Sequence, residues 1–452
     1  MGWTESIPGV FRKGFGGAEE IYYKMSTAFG HVEREHWGIH CVCCFRPGPS
    51  FPKCDTISAL REAWKALMME FPGLSVIPDG LTKVFVVPDE QAANNWVDQT
   101  FFVEHVENAD TVIANSKLRD LPSLYYFPSS SEIAFLNQHW RTDAIGTCML
   151  LDRFFSILIQ PQNLDSPLKR PELGKISPSL ENAAGSPENG TPELKEFAQA
   201  YIDNFHKKAL NIGSLLYKGD PATLPASTSH QEVSLTKSST SALIAACKSR
   251  NISVSAAIHT ALAHTVFSFA PPEDEPFDYT TVVAVNMRAY LQPPYNTKTH
   301  ACQTYVASIT PTVQRNSNFP EAAVALTQEY KSWHSDKFMQ SLRWIYKYHA
   351  DKLFARHPVG VPPPKPPSGV TLSSLGIIEQ YLTRDYGNAV YIDRFRFGVS
   401  MMTRQMLLYA WTFREQLTLS VSYNTAYYDI SMAQEILSRI KTILEIELGL
   451  KL

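Results

Sequence analysis

No stretch of about 18 consecutive apolar residues occurs in the chain, so nothing in it is expected to span a membrane. A surplus of one charge is lacking as well. The 452 residues carry 41 lysines and arginines against 44 aspartates and glutamates, a formal net charge of -3 at pH 7. Without a basic face, nucleic acid is not an expected partner. Cysteine is scarce, seven in all. Cys41 and Cys44 form one C-x-x-C in the strand-like run Gly38 to Phe45, but no second pair stands at zinc spacing and no helix start follows. No metal or redox use is expected, and the cysteines read as reduced thiols of a cytoplasmic protein. Residues Met1 to Ser6 lack the basic and apolar regions of a secretion signal. Gly2 and Ser6 fit the loose myristoylation pattern, but bulky Trp3 argues against it. The cluster Gly14-Phe15-Gly16-Gly17 has no preceding strand and no P-loop lysine, so it is not read as a phosphate site. No internal repeat is visible.

What remains is an ordinary globular composition, 44% hydrophobic and 19% charged. At about 150 residues per domain the length suggests two or three domains. Thr56 to Phe71 reads as a helix, with Leu60, Trp64, Leu67 and Met68 at helical spacing and Pro72-Gly73 as a stop. Strands are expected over Gly80–Pro88 and Ile133–Leu136, and a helix over Thr147–Leu158. Residues 160–195, rich in Pro, Asn, Ser and Gly, read as a long exposed connection. Beyond it the expected elements are a strand at Gln231–Leu235, helices at Ser239–Lys248 and Ser253–Phe269, and a strand at Tyr279–Asn286. Strands at Met406–Thr412 and Leu417–Tyr423 and a helix at Ser431–Leu448 close the chain. Pro358, Pro362, Pro363, Pro364, Pro366 and Pro367 mark a stiff loop. Strands and helices are mixed throughout, so the fold class is α/β, with α+β mixed sheets, in two lobes: 1–195 and 196–452.

The chemistry is sought at Gln138-His139-Trp140-Arg141-Thr142-Asp143, at a strand-to-helix junction. A lone H-x-x-x-D is weak, because a chain with 13 histidines will contain one by chance. A structural or surface histidine is the competing reading. Trp140 is placed to pack beside the imidazole, and Gly146 opens a closely packed apolar helix. Arg141 reads as a solvated or substrate-side charge. His105 reads as a surface histidine, His259 and His264 as core or interface histidines, and Trp411 and Tyr423 as core.

The run Gln138 to Gly146, followed by Met149-Leu150-Leu151-Asp152, resembles the H-H-x-x-x-D-G signature of the chloramphenicol-acetyltransferase-like superfamily. That superfamily includes BAHD acyltransferases, peptide-synthetase condensation domains and fungal acetyltransferases of the trichothecene 15-O-acetyltransferase type, the group most similar here. Ile252 to Ile258, Val285-Asn286-Met287-Arg288 with Pro293 to Asn296, Leu372 to Gly376, Trp411 to Arg414 and Val421 to Asn424 resemble further family stretches, in the expected order. The resemblance implies two similar lobes around a central tunnel. It implies His139 as general base in acyl transfer from acyl-CoA, acetyl above all, to the hydroxyl of a small-molecule secondary metabolite. No covalent acyl-enzyme, bound cofactor or metal is implied, and the protein is expected to be a monomer. Asp143 is then a structural group paired with Arg288 from the second lobe. Ser373 or Ser374 is the candidate oxyanion donor, with Trp140 and Gly146 as further candidate substrate contacts.

The departures matter too. Gln138 replaces the first histidine of condensation domains. Ala144 replaces a glycine at what reads as a tight turn. The BAHD D-F-G-W-G element is absent, its nearest likenesses being Asp385-Tyr386-Gly387 and Asp393 to Gly398. Three alternatives stay open: a condensation-like enzyme fed by a carrier protein, the same fold catalysing a cyclisation, and a vestigial small-molecule-binding protein.

Overall fold

The computed structural model describes residues 2–51, 55–160, 172–209, 214–269, 277–355 and 367–452. Cys54 and the prolines 358, 362, 363, 364 and 366 lie outside the described residues, as does 161–171 of the expected connection.

Its chain divides into two units, and neither is continuous. The first holds Met1–Ala184, Asn286–Val306 and Ile378–Ser400; the second holds Gly185–Val285, Ala307–Ile377 and Met401–Leu452. This differs from the single boundary expected at 195. Asn286–Val306 and Ile378–Ser400 fold with the N-terminal unit because their backbones and side chains pair there, which no local composition records.

In the first unit, helix α1 (Gly17–Thr27) precedes strand β1 (Ile39–Pro47), and helix α2 (Thr56–Glu70) follows it. The Asp55 carboxylate accepts from Ser58 N at 2.8 Å and starts α2, and Pro72 follows its end. Strand β2 (Phe101–Val103), helix α3 (Ala109–Ala114), strands β3 (Ser123–Phe127) and β4 (Glu132–Asn137) and helix α4 (Ala144–Leu158) complete the frame. A six-stranded sheet runs in the order Asp385–Tyr386, Val390–Val399, β1, β4, β3, β2. Only β2 and β3 are parallel. Alternation along β4 sends Phe135 toward Trp64 of α2, with ring centres 5.4 Å apart. It leaves Leu136 in register with His40 of β1 and Ser123 of β3, so these three share the opposite face.

Cys41 and Cys44 are three residues apart on β1 and therefore leave on opposite faces, so they cannot converge on one ion. The six described cysteines are all free. Among the described residues no group of three His, Cys, Asp or Glu side chains could hold a metal ion, and no single helix is long and apolar enough to cross a membrane.

The second unit is built on a mixed four-stranded sheet in the order Val370–Ile377, Met406–Phe413, Gln416–Asn424, Thr228–Ser234, with the first pair parallel. Lys237–Ser249, Val254–Phe269 and Ile430–Leu448 pack their apolar residues on it in one core. Trp411 and Tyr423 are buried. The strand expected over Tyr279–Asn286 is two pieces, Tyr279–Thr280 and Val283–Asn286. The break falls beside Thr281, whose hydroxyl accepts from Leu372 N at 3.2 Å instead of leaving the backbone to a ladder.

Part of the expected exposed connection proves to be buried. Ser177, Ser179, Leu180 and Glu181 are all inside, and the Tyr305 hydroxyl donates to Pro178 O at 3.0 Å. Ser177 Oγ bonds His300 Nδ1 at 3.0 Å and Glu181 Oε1 accepts from Gly17 N at 3.2 Å, so these polar residues are held by distant segments.

Candidate active site

Strand β4 ends at Asn137 and α4 begins at Ala144, so residues 138–143 form a six-residue bridge. Both ends are held by side chains of the bridge. Asp143 is the N-cap of α4, and its Oδ1 accepts from Gly146 N at 2.7 Å. Arg288 Nη1 donates to Oδ1 at 2.9 Å and to Oδ2 at 2.7 Å, and Tyr305 N donates to Oδ2 at 2.7 Å. Each carboxylate oxygen therefore takes two donors. Arg288 Nη2 donates in turn to Gln303 O at 3.0 Å. The side chains of Asp143 and Arg288 are each only 3% exposed. This arginine comes from Asn286–Val306, so it belongs to the same unit as Asp143, not to the second lobe.

Arg141 is corrected from a solvated charge to a buried one. Its guanidinium donates to Gly73 O, Val76 O and Asp120 O at 2.6–2.7 Å and to Gln138 Oε1 at 3.1 Å. Burial lowers its pKa to about 10, against the pull of Cys302, Glu35 and Asp120. Gln138 completes the lock by donating to Arg119 O and Leu121 O at 2.9 and 3.2 Å. Where the family signature has a first histidine, this chain has an amide that can donate and accept at once.

Trp140 is 3% exposed and sits in a cluster with Val76 and Phe85, edge-on to Phe15 at 5.2 Å. Its ring partners are Phe15, Tyr23 and the Arg141 guanidinium, 4.4 Å from the ring centre, and not the imidazole. The group beside the imidazole is Tyr22 of α1. Its ring is parallel to that of His139 within 2°, with centres 3.8 Å apart. Nothing local flags Tyr22, which stands more than a hundred positions away in the chain. His139 itself is partly exposed. Among the described residues, its buried Nδ1 has no hydrogen-bond partner beyond the residue's own backbone, and Nε2 makes no hydrogen bond. Burial lowers the imidazole pKa to about 4, with its own backbone and Asp143 pulling the other way. The imidazole is therefore neutral at neutral pH.

The face-to-face contact makes Tyr22 a positioning residue, with a clear expectation. Stacked rings contribute about 0.5–1.5 kcal/mol, or roughly threefold to tenfold if that orientation is needed for turnover. Tyr22→Phe should keep kcat within about twofold, and Tyr22→Leu should lower it by about that threefold to tenfold. Steady-state rates decide; equal losses in both variants would point to the hydroxyl rather than the ring.

Gly146 is closed to substrate. A Cβ there would run into Ala301 O and Thr142 Oγ1 and come 3.0 Å from Arg288 Nη2. Gly146→Ala should cost about 1–3 kcal/mol of stability by overpacking, read as a lower midpoint in thermal or urea unfolding. Ala144, by contrast, is the first residue of α4, where right-handed backbone suits any side chain; the tight turn expected there is a helix start. Ser373 and Ser374 lie in the second unit on Val370–Ile377, and Ser374 Oγ bonds Ser255 Oγ at 2.8 Å. His259 is buried against the Tyr330 hydroxyl at 2.6 Å, and His105 is exposed.

Residues 224–422 match the family model of the phthiocerol/phthiodiolone dimycocerosyl transferase C-terminus. The chain is 54% identical to the O-acetyltransferase pigM of Monascus ruber over 452 residues, 100% of this chain and 88% of that protein. It is 46% identical to the azaphilone biosynthesis cluster protein M of Aspergillus terreus (strain NIH 2624 / FGSC A1156) over 446 residues, 98% of each. Among solved structures, the TRI3 trichothecene 15-O-acetyltransferase from Fusarium sporotrichioides superposes with a TM-score of 0.79, over 100% of this chain and 97% of that one, at 15% identity. Mixed sheets in two units, with an aspartate-anchored histidine bridge in the first, define a chloramphenicol-acetyltransferase-like fold. The sequence identities go further than the fold. This chain belongs to the O-acetyltransferase family of that superfamily, and it is an O-acyltransferase of secondary metabolism.

Proposed function

We propose that the protein transfers an acetyl group from acetyl-CoA to a hydroxyl of a polyketide-type small molecule, with His139 as general base. The name of one relative ties that relative to azaphilone biosynthesis, which supports the acceptor class. The observation that carries the reading is the state of the imidazole: neutral, held face-on by Tyr22, with Nε2 unbonded. An alcohol attacks a thioester only as its proton leaves. Nε2 takes that proton while the alcohol oxygen bonds to the thioester carbonyl carbon. As the tetrahedral intermediate collapses, the C–S bond breaks and the imidazolium returns the proton to the thiolate of CoA. No acyl-enzyme forms. Asp143 takes no part in the proton transfer, because both its oxygens are filled by fixed donors. Ser373 and Ser374 are the candidate oxyanion donors, and alanine at each tests them through kcat.

The experiment is thiol release from acetyl-CoA with a panel of hydroxylated polyketides, product mass being followed in parallel. Acetylated product from wild type and none from His139→Ala supports the proposal; no product with any acceptor sinks it. Acetyl-pantetheine on a carrier protein, used in place of acetyl-CoA, separates a carrier-fed enzyme from a CoA-fed one.

pH adds a second check. The base must be unprotonated, so kcat/KM should be level through neutrality and fall as pH drops through about 4. Stability moves in the same direction for a different reason. The folded pKa of His139 lies below its unfolded value of about 6.5, so below that pH the unfolded chain binds the proton first and stability falls. Burial lowers His36 and His259 to about 3, which adds to the effect. The unfolding midpoint should therefore drop between pH 6.5 and 4, and initial rates must be taken before unfolding. An acid limb in kcat/KM centred near 6.5 would refute a base with a lowered pKa.

A further inference from the structure

The first unit contains a cavity of about 610 Å³ on the face of the sheet that carries Ser123, Leu136 and His40. This size suits a small organic ligand. Its wall includes Gln138, the residue before the base, and the carbonyl-bearing Arg119 and Leu121 that Gln138 grips. Ser123, Glu35 and Asn137 in this wall each have a buried polar atom without a hydrogen-bond partner among the described residues. Ser123 is 1% exposed and its Oγ is buried without a partner; Glu35 is 9% exposed and its Oε1 is buried without a partner. Leaving such groups unpaired costs free energy, so they are retained against folding stability.

The backbone around Glu35 is unusual as well. Glu33 and Trp37 on either side take positive φ, 56° and 60°. For a bulky residue such as Trp37 that is a strained conformation. It is clamped by Trp37 N donating to Ser400 O at 2.7 Å and Ser400 N donating to Gly38 O at 2.8 Å. The result presses the Glu35 carboxyl against Gly38, where a Cβ would come within 3.1 Å of it. The strain thus holds a carboxyl whose Oε1 has no hydrogen-bond partner among the described residues at the wall of a cavity.

Resting on the acyltransferase reading above, the geometry points to this cavity as the acceptor pocket, in which Glu35 and Ser123 bind a carbonyl or hydroxyl oxygen of the acceptor away from the reacting hydroxyl. Burial pushes Glu35 up to about 8, with Arg141 lowering it and Asp120 raising it, so the carboxyl is a hydrogen-bond donor at neutral pH. Such a donor pairs with an oxygen acceptor on the ligand. The remaining charged wall residues are mixed, Glu104 and Glu107 with Lys117 and Arg119, which gives no positive field for the phosphates of CoA. A molecule without phosphates that carries a carbonyl oxygen for the Glu35 and Ser123 donors fits both features.

The test uses hydroxychromanone and hydroxychroman, which differ only in the ring carbonyl, with binding followed by calorimetry. Wild type should bind the ketone about tenfold more tightly, as expected when a site built for a hydrogen bond meets a ligand without one. Ser123→Ala should narrow the ratio and Glu35→Leu should abolish it, while Glu35→Gln, which keeps a donor, should retain most of it. Since Ser123 Oγ and Glu35 Oε1 have no hydrogen-bond partner among the described residues to lose, Ser123→Ala and Glu35→Leu should unfold no earlier than wild type. Equal binding of the two compounds to wild type, binding of neither, or a ratio unmoved in both Ser123→Ala and Glu35→Leu would overturn the proposal. His139→Ala keeps the two readings apart: it should preserve the binding ratio while acetyl transfer is lost. Transfer that survives in His139→Ala would refute the general-base reading without touching the pocket, which the binding ratio decides.

Discussion

His139→Ala is expected to lower kcat by about 10²–10⁴-fold, the usual size of a general-base contribution. Its KM values and unfolding midpoint should stay close to those of wild type, because of what surrounds the ring. Among the described residues the His139 side chain makes no hydrogen bond to another residue, so its removal leaves no buried partner stranded. What is lost structurally is one stacked contact with Tyr22, a small effect beside the chemical one. A kcat within a few-fold of wild type would remove the base from the mechanism. A variant that loses activity and unfolds early would show instead that the histidine is structural.

Asp143→Asn should have the reverse signature. The carboxylate joins the start of α4 to Arg288 and to Tyr305 N, and all of it is buried. An amide turns one acceptor into a donor aimed at donors and leaves the guanidinium without its counter-charge. Breaking a buried pair from one side typically costs about 3–5 kcal/mol. Stability and activity should fall together in Asp143→Asn and in Arg288→Met. Because the two residues share one interaction, the double variant Asp143→Leu with Arg288→Met should be less unstable than the sum of the single losses. Urea unfolding of wild type, Asp143→Leu, Arg288→Met and the double variant measures the coupling. Full stability with lost activity in Asp143→Asn would assign the carboxylate a chemical role.

Removing the histidine and removing the aspartate thus separate two tasks that one short motif combines. His139 is held loosely by a ring face and is free at Nε2; Asp143 is held by four hydrogen bonds and has no capacity left. Gln138 and Arg141, beside them, are buried anchors that tie the bridge to Gly73, Val76, Arg119, Asp120 and Leu121. The motif keeps His139 in place by immobilising the residues around it.

Much of the fold is legible in the order of residues alone. The helix at Thr56–Glu70 and the strands at Met406–Phe413 and Gln416–Asn424 follow from local periodicity and turn residues, which act between near neighbours. So does the placing of the bridge between a strand and a helix, since β4 and α4 carry their own apolar patterns. The family resemblance rests on the same short runs. Arg141, Trp140 and Ala144 depart from expectation for one shared reason: residue type does not say which neighbours a side chain meets. An arginine reads as solvated until three carbonyls from distant segments surround it.

By itself, then, the sequence determined the class of fold and the place of the bridge between a strand and a helix, because those depend on contiguous residues. Tertiary structure alone decided that Asn286–Val306 and Ile378–Ser400 join the first unit, that Tyr22 holds the imidazole, and that Glu35 and Ser123 share a cavity wall. Each of these is a contact between residues far apart in the chain. Strand register and side-chain packing create such contacts only once the loop-closure entropy has been overcome, so no local pattern records them.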